Sequence, residues 1–111
     1  MTDQNLKFKI PKKITIGNQD FRVVQNKNQA GGWFDCQESV IGIGTRDIKT
    51  CPDRVFDFLV HEISEIIHVN VVLTRYNDHS AGDDYKFFMN HKQFQTHNSI
   101  LSHVILNQIL K

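Results

Sequence analysis

Thr50-Cys51-Pro52-Asp53-Arg54-Val55-Phe56-Asp57-Phe58-Leu59-Val60-His61-Glu62-Ile63-Ser64-Glu65-Ile66-Ile67-His68-Val69 is the stretch on which the fold turns. Val55, Phe56, Leu59, Val60, Ile63, Ile66 and Ile67 recur at spacings of three and four, which places them on one broad apolar face of a helix. Thr50 or Cys51 stands at the capping position and Pro52 in the first turn, where its missing N–H leaves no bond unmade. The pattern predicts a helix running to about Val69; the β-branched run Val69 to Leu73 weakens it beyond.

N-terminal to this helix the periodicity changes from helical to alternating. Phe8, Ile10, Ile14 and Ile16 lie two apart within Lys7 to Ile16, and Phe21, Val23 and Val24 follow in Asp20 to Val24. The two runs predict an antiparallel hairpin turning at Gly17-Asn18-Gln19. A loop from Asn26 through Gly31-Gly32 leads to a third strand, Glu38 to Thr45, whose Gly42 and Gly44 suggest an edge strand or a close backbone approach. Trp33 and Phe34, after the glycine pair, read as a plug of the core or as an exposed aromatic contact.

C-terminal to the helix, Thr74 to Asp84 is polar and predicts a loop, followed by a short extended run, Tyr85 to Met89. Asn90, with Gln93 three residues on, marks the capping box of a last helix. Its stripe Phe94, Leu101, Val104 and Ile105 should pack on the first helix. The expectation is an α+β fold: a small N-terminal antiparallel sheet of about three strands against a central helix and a C-terminal helix, residues 1–111 forming one domain.

Composition narrows the function classes. Of the 111 residues, 13 are basic and 12 acidic, for a net charge of +1, so no global field draws the chain to nucleic acid or an acidic membrane. No run reaches the roughly 18 apolar residues of a membrane span, and the N-terminal segment lacks the apolar core of a signal peptide. A cytoplasmic protein is expected. Cys36 and Cys51 read as two free thiols.

All six histidines lie in the C-terminal half, at 61, 68, 79, 91, 97 and 103, and two of the three glutamates stand beside the first. His61 and Glu65 are four apart and project from one helix face, so they are able to share a metal ion. The order His61-Glu62-Ile63-Ser64-Glu65 matches the H-E-x-x-H helix of zinc peptidases, in which the first glutamate is the general base, except that a carboxylate stands at the second ligand position. A second imidazole must then come from elsewhere. His68 is about 10 Å further along the helix axis, too far for easy sharing. His97 falls within the apolar stripe of the last helix, and His91 on its margin; periodicity and position leave both open. Tyr76, His79, Tyr85 and His97 are candidate donors to an oxyanion, with no spacing to select among them.

With its hairpin, capped helix Phe58-Leu59-Val60-His61-Glu62 and later Asn90-His91-Lys92-Gln93-Phe94, the chain resembles the minimal zinc-metallopeptidase-like (zincin-like) domains of bacteriophages and mobile elements, over residues 14–105. While periodicity keeps His97 as the alternative third ligand, the resemblance implies one zinc ion held by His61, Glu65 and His91, with Glu62 as general base. It implies a metallohydrolase, most simply a peptidase, in the cytoplasm of the host cell or in a virion, with a peptide or protein as substrate or partner. An edge strand such as Glu38 to Thr45 would hold an extended peptide beside the metal. The alternative function is a non-catalytic phage structural or protein-binding module of the same shape. Structural rivals exist for single residues. His61, Glu65 and His68 also fit a solvated polar face with Arg54 and Asp57, His97 a core-edge histidine, and His79 and His103 plain surface positions.

Overall fold

A computed structural model describes residues 8–77 and 85–110. The hairpin forms as β1 (Lys13–Ile16) and β2 (Gln19–Asn26), antiparallel, with Ile14 opposite Phe21. Gly17 reverses the chain at a φ of 62°, a conformation that side-chain-bearing residues resist. β1 is shorter than the predicted run: Lys7 lies outside the described residues, and Pro11, with no N–H to give, interrupts the ladder before Lys13.

The chain then crosses to the far side of the sheet. A loop through Gly31 leads into β3 (Gly32–Asp35), and the chain returns as β4 (Val40–Gly44) between β2 and β3, giving the order β1-β2-β4-β3. β4 is antiparallel to β3 and parallel to β2, so the sheet has four strands and is mixed, where about three antiparallel strands were expected. Every residue of β4 is buried, and a strand covered on both faces takes a central place. Glu38 to Thr45 is therefore not an edge strand. Its glycines do mark close approach, but to the protein itself: a Cβ on Gly42 would lie 2.2 Å from the Trp33 indole, and one on Gly44 2.4 Å from the Gln29 carbonyl oxygen. β3, missed in the sequence, is one edge. At the other, the Gln108 amide donates to Thr15 O (2.8 Å) and accepts from Thr15 N (2.7 Å), occupying β1's outer side.

α1 (Pro52–Ile66) lies on the inner face of the sheet. Pro52 opens it after Cys51, whose side chain makes no capping bond. Val55, Leu59, Ile63 and Ile66 are fully buried against Ile14, Ile16, Phe21, Ile41 and Ile43. The helix does not continue in α form to Val69. Ile67–Val71 is a π turn, closed by Val72 N–H donating to Ile67 O at 3.0 Å, and Leu73 ends it at a φ of 54°. Arg75–Asn77, expected in the loop, is instead β5 and pairs antiparallel with β6 (Tyr85–Phe87).

α2 (His91–Val104) starts with the predicted capping box: Asn90 Oδ1 accepts from Gln93 N and Gln93 Oε1 from Asn90 N, both at 2.9 Å. Val104 and, in the following π turn (Ile105–Ile109), Ile109 enter the core; Phe94, expected in the stripe, is 48% exposed. The two cysteines are free thiols. No helix among the described residues is long and apolar enough to cross a membrane.

Candidate metal centre

The polar flank of α1 is set by where its apolar face must go. With Leu59 and Ile63 pinned to the sheet, His61 and Glu65 fall together on the outer side, while Glu62 is turned toward the edge strand. Glu62 is buried, 6% exposed, and packs so closely on β3 that a Cβ on Gly32 would lie 2.9 Å from its Cγ. Gly32 thus makes room for the carboxylate, and any larger residue would displace it.

His61 Nε2 lies 2.8 Å from Glu65 Oε2. One ligand atom each from His61, Glu62 and Glu65 lie within 4.8 Å of one another, so these three residues are able to hold a metal ion. Donors about 2.0–2.2 Å from a tetrahedral ion sit roughly 3.3–3.6 Å apart, so small side-chain rotations close the gap. One imidazole nitrogen and two carboxylate oxygens form a donor set of borderline hardness, suited to zinc and its divalent neighbours. The residues fit the group the sequence points to.

The other predicted histidines are placed differently. His91 is exposed at the first position of α2, and no metal-ligand group among the described residues includes it or His97. His97 is buried, with Nε2 2.9 Å from Ser64 Oγ and Nδ1 3.2 Å from Asn98 Oδ1, so both ring nitrogens already have partners. His68 is not on a solvated face. The π turn and the β5–β6 hairpin bury it between His97 and Phe87, with ring centroids at 4.4 and 4.3 Å, and its Nδ1 is 2.5 Å from Thr74 Oγ1. His103 is exposed, as expected. Of the remaining candidate oxyanion donors, His79 and the side chains of Tyr76 and Tyr85 lie outside the described residues.

Arg75 was not foreseen. From β5 its Nε approaches Glu65 Oε1 at 3.7 Å, and its guanidinium lies 5.8 Å from the centre of the Phe34 ring. Arg75 sits in a stretch that reads as loop, so no local signal pointed to it; only the β5–β6 pairing brings it to α1. Together His61, Ser64, Glu65, His68, Arg75 and Phe87 line an open cleft of about 690 Å³.

Burial shapes the charges here. The Glu62 carboxyl is held above the ordinary carboxylate range chiefly by desolvation; the Glu65 charge adds to this, and His61 and Arg75 oppose it. His68 is held below the ordinary histidine range, first by desolvation and then by His97, against the pull of Glu65. Comparisons with protein-family models, with curated proteins and with solved structures return no match. The functional reading therefore rests on this geometry and on the order of residues along α1.

Proposed function

We propose that the chain is a zinc-dependent hydrolase acting on a peptide bond in an extended substrate. The observation that carries this reading is the convergence of His61, Glu62 and Glu65, two of which, His61 and Glu65, line a cleft. His61 and Glu65 would hold the ion, with His91 as the third ligand that the zincin-like resemblance implies and His97 as the alternative that periodicity leaves open. To serve as ligand through Nε2, His97 must first leave Ser64. When bound, the ion supplies Lewis-acid polarisation of a carbonyl and acidifies a water molecule.

Glu62 would act as the base; in support, its carboxylate is shielded from bulk solvent and lies close to the His61 and Glu65 ligand atoms. β3, at the sheet edge beside Glu62, takes over the peptide-holding role once expected of Glu38 to Thr45. An extended segment pairing with β3 would run past Gly32, against which the Glu62 side chain packs. Arg75, which lines the same cleft as His61, would supply a cation for a developing or terminal negative charge.

The test separates metal binding from turnover. The purified chain is expected to retain about one zinc per molecule by elemental analysis, and His61→Ala to lose it. Glu62→Gln is expected to keep zinc and lose hydrolysis of an unstructured protein substrate. Equal hydrolysis by Glu62→Gln and the parent chain would remove Glu62 as base.

One observation favours a second reading. Glu65 already has side-chain partners in the protein, His61 Nε2 at 2.8 Å from one carboxylate oxygen and Arg75 Nε at 3.7 Å from the other. In that case the chain is a non-catalytic binding module of the same shape, and the zinc measurement returns none.

A further inference from the structure

On the side of the sheet opposite α1 lies a second cavity, of about 710 Å³, that the proposed hydrolase does not use. Its floor is β4 at Gly42 and Gly44, where the missing side chains let the Trp33 indole and the Gln29 backbone lie close, and its wall is Trp33, whose indole lies across Gly42. Trp33 is 52% exposed, an unusual state for the chain's single tryptophan unless its free surface has a partner. The rim is a run of uncharged amides, Gln25, Asn28 and Gln29 among them, with Lys27 as the one charged lining residue.

The rim loop is held in place by its own backbone. Asn26 O accepts from Thr45 N at 2.9 Å, Gln29 O from Arg46 N at 3.1 Å, and Gly31 O from Gly44 N at 2.7 Å. The groove is therefore formed before any ligand arrives, which lowers the ordering cost of binding.

We infer that this groove binds a neutral oligosaccharide. A pyranose ring presents an apolar C–H face, which an indole covers well, and a belt of hydroxyls that both donate and accept. Carboxamides, which also do both, match those hydroxyls better than charged groups do. A nucleic acid strand would stack on Trp33 equally well, but a single lining cation cannot neutralise its phosphates. A peptide strand would pair along the free edge of β3 rather than lie on the face of β4, which is paired on both sides.

Because Trp33 is the only tryptophan, its fluorescence reports this groove alone. The intact chain is titrated with chitotriose and with maltotriose, in the presence of a metal chelator so that the result is independent of the proposed zinc site. A saturable change in Trp33 emission with at least one sugar is expected, at millimolar or lower concentration and insensitive to added salt. Asn28→Ala and Gln29→Ala keep the reporter and are expected to weaken binding about fivefold each. Gly42→Ala, whose methyl would occupy the indole's seat, is expected to abolish it. No saturable change with either sugar overturns the inference. So does an emission change that the two amide variants leave unaltered, or a response confined to an oligothymidylate and suppressed by salt.

Discussion

Glu62 and His68 are buried ionisable groups on one short stretch of chain, and they respond to pH in opposite senses. Glu62 is an acid whose folded pKa is raised, chiefly by burial, so its ionisation opposes folding. Its contribution is fully present below its ordinary value of 4.5 and is lost as pH rises through the folded value. In chelator-treated protein, Glu62→Gln is expected to be more stable than the parent near pH 7 by about 1 kcal/mol. The gap should close in acid, as read by urea unfolding across pH. His68 is a base whose folded pKa is lowered by burial and by His97. Its contribution is present above 6.5 and is lost as pH falls through the folded value. His68→Phe, which keeps an aromatic ring between His97 and Phe87, is expected to flatten that acid-side loss; an unchanged slope in the same unfolding series would assign it to other groups. At this scale the sequence exposed His61, Glu62 and Glu65, because one helical turn relates them. It did not expose Arg75 or the burial of His68, which depend on a hairpin distant from the motif.

Among the elements, those with strong local signals came out as read. The spacing of Val55, Leu59, Ile63 and Ile66 specified α1, and Asn90 with Gln93 specified the start of α2. Asn90→Ala removes the half of the reciprocal cap in which Asn90 Oδ1 accepts from Gln93 N and is expected to cost about 1 kcal/mol, measured as a shift in the denaturant midpoint at constant m-value. Leu59→Ala, at the fully buried centre of α1, is expected to cost roughly 2–5 kcal/mol on the same measure, because the sheet beneath cannot collapse into the space. The elements that escaped reading were short and partnered at a distance. β3 has four residues and β5 three, and neither has an alternating pattern long enough to register. The end of α1 also departed from expectation, and α2 ends in the same way. Each passes into a π turn, at Ile67–Val71 and Ile105–Ile109, and continued apolar spacing does not distinguish that from α-helix.

In the molecule as a whole, a single core between the sheet and α1, closed by the end of α2, positions two separate surfaces. The cleft with His61, Glu65 and Arg75 opens on the helical side, and the Trp33 groove on the other face of the sheet. If zinc binds only the folded chain, adding it at about 100 times its dissociation constant should raise stability by about 2.7 kcal/mol, seen as a higher unfolding temperature that His61→Ala abolishes. The sequence by itself determined the α+β class, the central helix with its apolar face, the capped last helix and the motif that places an imidazole and two carboxylates around one turn. These follow from short-range periodicity and capping, which are written in neighbouring residues. Only the tertiary structure decided that β4 lies inside the sheet and β3 at its edge, that Arg75 meets Glu65, and that His97 bonds Ser64 while His91 faces solvent. Strand order and the approach of distant side chains depend on which surfaces must be buried together, and no local pattern records that.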